Sequence, residues 1–111
     1  MASAPYQRLV RNKTPQIIEL DGNKPVYRIL TSEEYTVEAG RKFGLQGQDF
    51  VAAPDKEERL RELADILQLV YDTAKREGAT IDDIETIRFE KHEQRGGFGD
   101  GIFLEEVTDD K

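Results

Sequence analysis

The strongest periodic signal in the chain lies between Asp55 and Arg76. At about 100° per residue, Leu60, Leu63, Leu67, Val70, Tyr71 and Ala74 gather on one broad apolar face. Ile66 and Leu69 fall outside that face, on the side shared with Glu62 and Asp65. A helix that is apolar on more than one side has to bury more than one side. In so short a chain, that predicts cover by a partner subunit. Pro54 breaks the chain before this helix, Asp55 and Glu58 read as a capping box at its start, and Gly78 stops it.

Two more long helices are expected. Thr31 with Glu34 three residues on has the capping-box pattern and opens a helix running toward Ala53. Gly40, Gly44 and Gly47 fall inside it, each costing about 1 kcal/mol relative to Ala. Their spacing predicts either a close helix–helix approach or a kinked, frayed helix. Thr80-Ile81-Asp82-Asp83 opens the third, which carries Ile84 and Ile87 at packing distance and ends near Arg95, before Gly96-Gly97. Thr14-Pro15 reads as the capped start of a short helix over Gln16–Leu20, stopped by Asp21-Gly22-Asn23. Val26–Leu30 reads as extended, and Ile102-Phe103-Leu104 as a short strand or a packed arm. Residues 1–5 and 106–111 read as loose ends. The sum is one all-α domain over residues 1–111 with a short extended N-terminal segment.

Composition narrows the function classes. Of 111 residues, 35% are charged, 37% are hydrophobic, and the net charge is −7. Such a charge disfavours a duplex nucleic-acid binder. The absence of cysteine excludes disulfide scaffolds, thiolate metal sites and cysteine nucleophiles. No apolar run approaches the roughly 18 residues of a membrane span, and MASAPYQRL lacks the plan of a signal peptide. A soluble cytoplasmic protein is expected.

Candidate chemistry begins with Glu62 and Asp65. Three apart on a strong helix, both carboxylates project from one face, with Ile66 and Leu69 displacing water beside them. Like charges held together are relieved by a divalent cation, and Mg²⁺ takes hard oxygen ligands of this kind. A solvated acidic face has the same pattern. Arg11 and Lys13 before the first helix, and Lys91 and Arg95 near the end of the last, are cations on an acidic chain. They suit phosphate oxygens, or serve as ordinary surface charge and helix C-terminal cations. The Gly96–Gly101 run lacks the Lys-Ser/Thr of a phosphate-binding loop and reads as a helix end and turn. His92, the single histidine, reads as a surface residue, and no serine has a base beside it.

Four stretches together resemble one family. Tyr6-Gln-Arg-Leu-Val-Arg-Asn-Lys-Thr-Pro-Gln-Ile-Ile18 is similar to the opening YxKLVRDKIPEII of the small phosphoribosyl-ATP pyrophosphohydrolase-like branch of the MazG-like all-α nucleotide pyrophosphohydrolases. Lys24–Leu30 with Glu33-Glu34-Tyr35 resembles that family's linker and helix start. Glu62-Leu-Ala-Asp65 matches its ELAD. Lys91-His-Glu-Gln-Arg-Gly-Gly-Phe98, with Ile102-Phe-Leu-Glu-Glu-Val107, is similar to the ending KxxxRGGF…IFLEEV. The phosphoribosyl label itself carries little, because no residue here reads a phosphoribosyl group.

The resemblance implies antiparallel helices forming a four-helix bundle across a homodimer, or a dimer of dimers. It also implies Mg²⁺-dependent (or Mn²⁺-dependent) hydrolysis of a nucleoside triphosphate to monophosphate and pyrophosphate. The metal would be held by EExxE on one helix and ExxD on the next. In an ungapped register EExxE falls on Leu45-Gln46-Gly47-Gln48-Asp49, so Leu45 and Gln46 replace two carboxylates and Asp49 is a shorter acid. Asn12, Gln16 and Gln68 likewise stand where the family carries acids. Asp49, Glu62 and Asp65 are left as metal ligands, with Gln46 as a weak fourth. Glu62 and Asp65 are the catalytic pair. Arg11, Lys13, Lys91 and Arg95 are the substrate-binding cations, and water is the nucleophile. Lost ligand charge weakens such a site, so the expected enzyme is slow. The alternative is a catalytically impaired relative acting as a nucleotide-binding or protein-interaction module.

Overall fold

A computed structural model describes residues 6–109, and in those residues the chain is helical without strands. The order is α1 (Thr14–Leu20), α2 (Ser32–Ala52), α3 (Lys56–Arg76) and α4 (Ile81–Arg95). Residues 1–5, 110 and 111, expected as loose ends, lie outside the described residues; 106–109 have no regular secondary structure and are exposed.

Local caps set the helix boundaries. At α2 the Thr31 hydroxyl accepts from the Glu34 amide at 3.2 Å, and the Glu34 carboxylate accepts from the Thr31 amide at 3.0 Å. This satisfies two N-terminal donors at once. Arg28 donates to both Glu34 oxygens at 2.9 and 2.7 Å. That pair, and then the Thr31 amide, lowers the Glu34 pKa to about 2. The same reciprocal cap joins Thr80 and Asp83 at α4. At α3 only the forward half forms: Asp55 accepts from the Glu58 amide at 2.9 Å, while the Glu58 carboxylate pairs with Arg61. Gly78 and Gly96, at φ +76°, occupy the left-handed region and follow the ends of α3 and α4.

Two local expectations are corrected. Thr14 lies inside α1 rather than capping it. The cap position is Lys13, already near helical dihedrals, and the turn from Arg11 to Thr14 runs straight into the helix. The glycines of α2 neither break that helix nor admit a close neighbour. It is continuous, and a Cβ at Gly40, Gly44 or Gly47 would meet nothing within 4 Å.

α2 and α3, 21 residues each, form an antiparallel hairpin closed by the short link Ala53–Asp55. Its register shows in facing pairs: Gln46 bonds Glu62 near the closed end, and Arg76 stacks on the Tyr35 ring at 4.2 Å near the open end. Ala39, Gln46, Leu69 and Ala74 are its buried residues. Leu69 and half-buried Ile66 show that α2 packs on the Glu62 side of α3. On the broader leucine side Ala74 is buried and Val70 half-buried, while Leu60, Leu63, Leu67 and Tyr71 stay 45–54% exposed. α4 folds back on α3, but only Ile81 and Ile84 are shielded, and everything from Glu85 on is exposed. Ile87, expected to pack, is among the exposed residues.

α1 touches no other helix, and the tail carrying Ile102, Phe103 and Leu104 is neither strand nor packed arm. The radius of gyration is 18.6 Å, against about 13 Å for a compact domain of this length. The four-helix content is therefore present without a closed bundle in the single chain.

Candidate functional site: an acidic cluster on the helical hairpin

The hairpin brings together residues that are far apart in sequence. α2 supplies Gln46 and Asp49, and α3 supplies Glu62 and Asp65. Because the link between the helices is short, the last turns of α2 lie beside the first turns of α3, which places the four side chains near the closed end. Glu62 sits among them, half-buried. Burial, then the negative charges of Asp49 and Asp65, push its carboxyl pKa up; the Lys42 ammonium works in the opposite direction. Removing water and adding like charge both disfavour ionisation, so both act in the same sense here.

Gln46 is 5% exposed, and its Nε2 donates to Glu62 Oε2 at 3.4 Å. A buried amide thus faces the Glu62 carboxylate. Arg11 reaches back from ahead of α1, and its guanidinium donates to Asp65 Oδ1. Two of the three acids are therefore already engaged by protein donors. Leu45, beside Gln46, is half-buried and offers no ligand.

The donor chemistry suits a hard divalent cation: three carboxylates, one of them destabilised as an anion by burial and then by its acidic neighbours. Placement is less complete. Among the described residues no three acids converge as a metal-holding group. Asp65 turns toward Arg11 and Glu62 toward Gln46, so a cation at this site requires at least one of those bonds to yield.

The remaining expected site residues are not gathered here. Lys91 and Arg95 lie on the exposed last turns of α4, and among the described residues neither forms a hydrogen bond or ion pair with the cluster. Lys13 is exposed at the start of α1, likewise unpaired with the acids. His92 is exposed, and Gly96–Gly101 form a helix end and a turn closed by Gly101 N–H on the Phe98 carbonyl, as expected of them.

Lys42 beside Glu62 was not anticipated from sequence, although it precedes Gln46 by one helical turn and so shares its face. Two shallow hollows lie elsewhere, one along α4 around Phe89 and one where Tyr35 meets Arg76. Neither includes an acid of the cluster. No helix among the described residues is long and apolar enough to cross a membrane.

Compared with family models, with curated proteins and with solved structures, the chain gives no match. The functional reading stands on its residues.

Proposed function

We propose that the protein is a slow, Mg²⁺-dependent nucleoside triphosphate pyrophosphohydrolase of the MazG-like all-α kind, working as a homodimer. The observation that carries this reading is the hairpin, which brings Asp49 of α2 near Glu62 and Asp65 of α3, burial and then these charges raising the Glu62 pKa. Asp49, Glu62 and Asp65 are the ligands, and Gln46 adds an uncharged donor. When bound, a divalent cation supplies positive charge against the triphosphate and polarises water. Arg11, Lys13, Lys91 and Arg95 are the phosphate cations. Gathering the last two at the acids requires α4 of a second copy or closure of α4 on the hairpin.

The open leucine side of α3 supports the dimer. A second copy laid on Leu60, Leu63, Leu67 and Tyr71 covers the most apolar helix face and completes a four-helix bundle from two hairpins. The extended dimensions of the single chain favour the same cover.

The test is thermal unfolding with nucleoside triphosphates, with and without Mg²⁺, followed by pyrophosphate release. A ligand at a hundred times its Kd stabilises by about 2.7 kcal/mol. Mg²⁺-dependent release that Glu62→Gln abolishes is the expected result. Release unchanged in Glu62→Gln overturns the assignment.

A second reading is favoured by the buried Gln46 amide: a relative that binds nucleotide without hydrolysing it. It predicts Mg²⁺-dependent stabilisation without pyrophosphate release. It also predicts that Leu45→Glu with Gln46→Glu creates release. No gain in a folded double variant counts against that explanation of the loss.

A further inference from the structure

Two apolar surfaces of the chain lack cover, and their flanking charges are opposite. The first is the tail after α4. Ile102, Phe103, Leu104 and Val107 are 74–87% exposed, and Glu105 and Glu106 sit among them. Among the described residues neither glutamate forms an ion pair.

The second is the N-terminal end of the leucine side of α3. Lys56 precedes Leu60 by four positions and Arg59 precedes Leu63 by four, so both cations share that side of the helix. The acids beside them are engaged elsewhere: Glu57 and Glu58 pair with Arg61, and Asp55 accepts the Glu58 amide. Among the described residues Lys56 and Arg59 have no ion pair.

We propose that the tail is an arm that crosses to a second copy of the chain. Ile102, Phe103 and Leu104 pack on the Leu60 end of the other copy's α3, with Glu105 and Glu106 against its Lys56 and Arg59. The apolar residues supply the affinity, and the charges fix which end of the leucine side is taken. The tail carries its acids directly after three adjacent apolar residues, and α3 carries its cations directly before the first leucine, so one docking satisfies both. The chain does not make this contact with itself: Leu60 stays 54% exposed and Phe103 86%. Six residues, Gly96–Gly101, four of them glycine, separate the arm from α4, a span of about 20 Å when extended. In a two-fold pair the exchange is made twice. The inference rests on the homodimer proposed above and not on its nucleotide chemistry. The second hairpin covers Leu63, Leu67 and Tyr71, and the arm closes the Leu60 end.

Sedimentation velocity on the full chain reads the dimer Kd, and circular dichroism checks that each variant keeps its helices. Glu105→Lys with Glu106→Lys is expected to weaken the dimer about tenfold, two exposed pairs being counted twice. Lys56→Glu with Arg59→Glu should do the same, and all four substitutions together should restore most of the loss. Phe103→Ser should also weaken the dimer, whereas Val26→Ser, at a residue 92% exposed, should not. Because the chain has no cysteine, a mixture of Leu60→Cys chains and Phe103→Cys chains should oxidise to a mixed dimer, identified by its mass. A disulfide that closes only within one chain of the double-cysteine variant overturns the exchange in favour of the chain's own tail. Dimer affinity untouched by either charge reversal, or losses that the fourfold variant does not restore, overturn the arm and leave the homodimer standing. A monomer at every concentration overturns the homodimer itself, and this inference with it.

Discussion

The two sides of α3 make opposite use of their hydrophobic residues. Toward α2 the helix presents Glu62, Ile66, Leu69 and Thr73, a mixed set that is buried or half-buried along its length, whereas on the other side only Ala74 is buried. On the other side Leu60, Leu63, Leu67 and Tyr71 form the more apolar stripe, and each keeps about half of its surface exposed. Apolar content alone therefore does not choose the intramolecular partner. α2 offers Ala39 and Gln46 at its buried positions, a small residue and an amide. The amide meets Glu62, whereas a leucine stripe wants an equally apolar partner.

The largest effect expected from this contrast is on assembly. Leu63→Asp together with Leu67→Asp should turn a dimer into a monomer in sedimentation velocity. Each side chain counts twice in a two-fold interface, so the loss is a hundredfold or more in affinity at roughly 1.5–3 kcal/mol per buried leucine. A monomer before substitution overturns the second copy as the cover.

On the opposite side, Leu69→Ala should cost about 2–5 kcal/mol in denaturant unfolding by leaving a cavity. A smaller loss, matched by Leu67→Ala in dilute monomer, would erase the distinction between the two sides.

Gly44→Ala is a gentler probe of the outer face of α2. With nothing within 4 Å of an added Cβ, the substitution should raise stability by about 1 kcal/mol through helix propensity. A destabilised variant would place another surface against that glycine.

The smallest effect is on pH dependence, which differs in sign between two glutamates. The folded pKa of Glu34, about 2, lies below the ordinary 4.5. Its stabilising contribution is present above pH 4.5 and is lost as pH falls toward 2. Glu62 is raised instead. Folding is free of its penalty below the ordinary value and pays it as pH rises through the raised one. Glu62→Gln should therefore raise the Tm at pH 7 and leave it unchanged at pH 3. Equal shifts at both pH values would mean that the hairpin does not crowd this carboxylate.

Much of the secondary structure was legible because its causes are local. Thr31 with Glu34, and Thr80 with Asp83, lie within one turn of the donors they satisfy, and Gly78 and Gly96 take up the φ their turns need. Thr14 misled because a cap needs an extended residue at that position, and the turn from Arg11 had already brought Lys13 to helical dihedrals. The glycines of α2 misled because spacing shows that small residues share a face without showing that anything approaches it. That Glu62 and Asp65 share a face was legible from their spacing of three; that Asp49 lies near them took the hairpin. That Arg11 would meet Asp65 was not legible, since a guanidinium suits a phosphate and a carboxylate alike and the partner lies 54 positions away.

Residue order was enough to specify α2, α3 and α4 with their caps and the pairing of Glu62 with Asp65 on one face, because caps, turns and helical spacing act over three or four positions. It took the packed hairpin to select which side of α3 meets α2, to bury Gln46 against Glu62 and to bring Arg11 across 54 positions to Asp65. Those outcomes depend on which surfaces fit together and which charges then lie within reach, and neither is a property of any short stretch of chain.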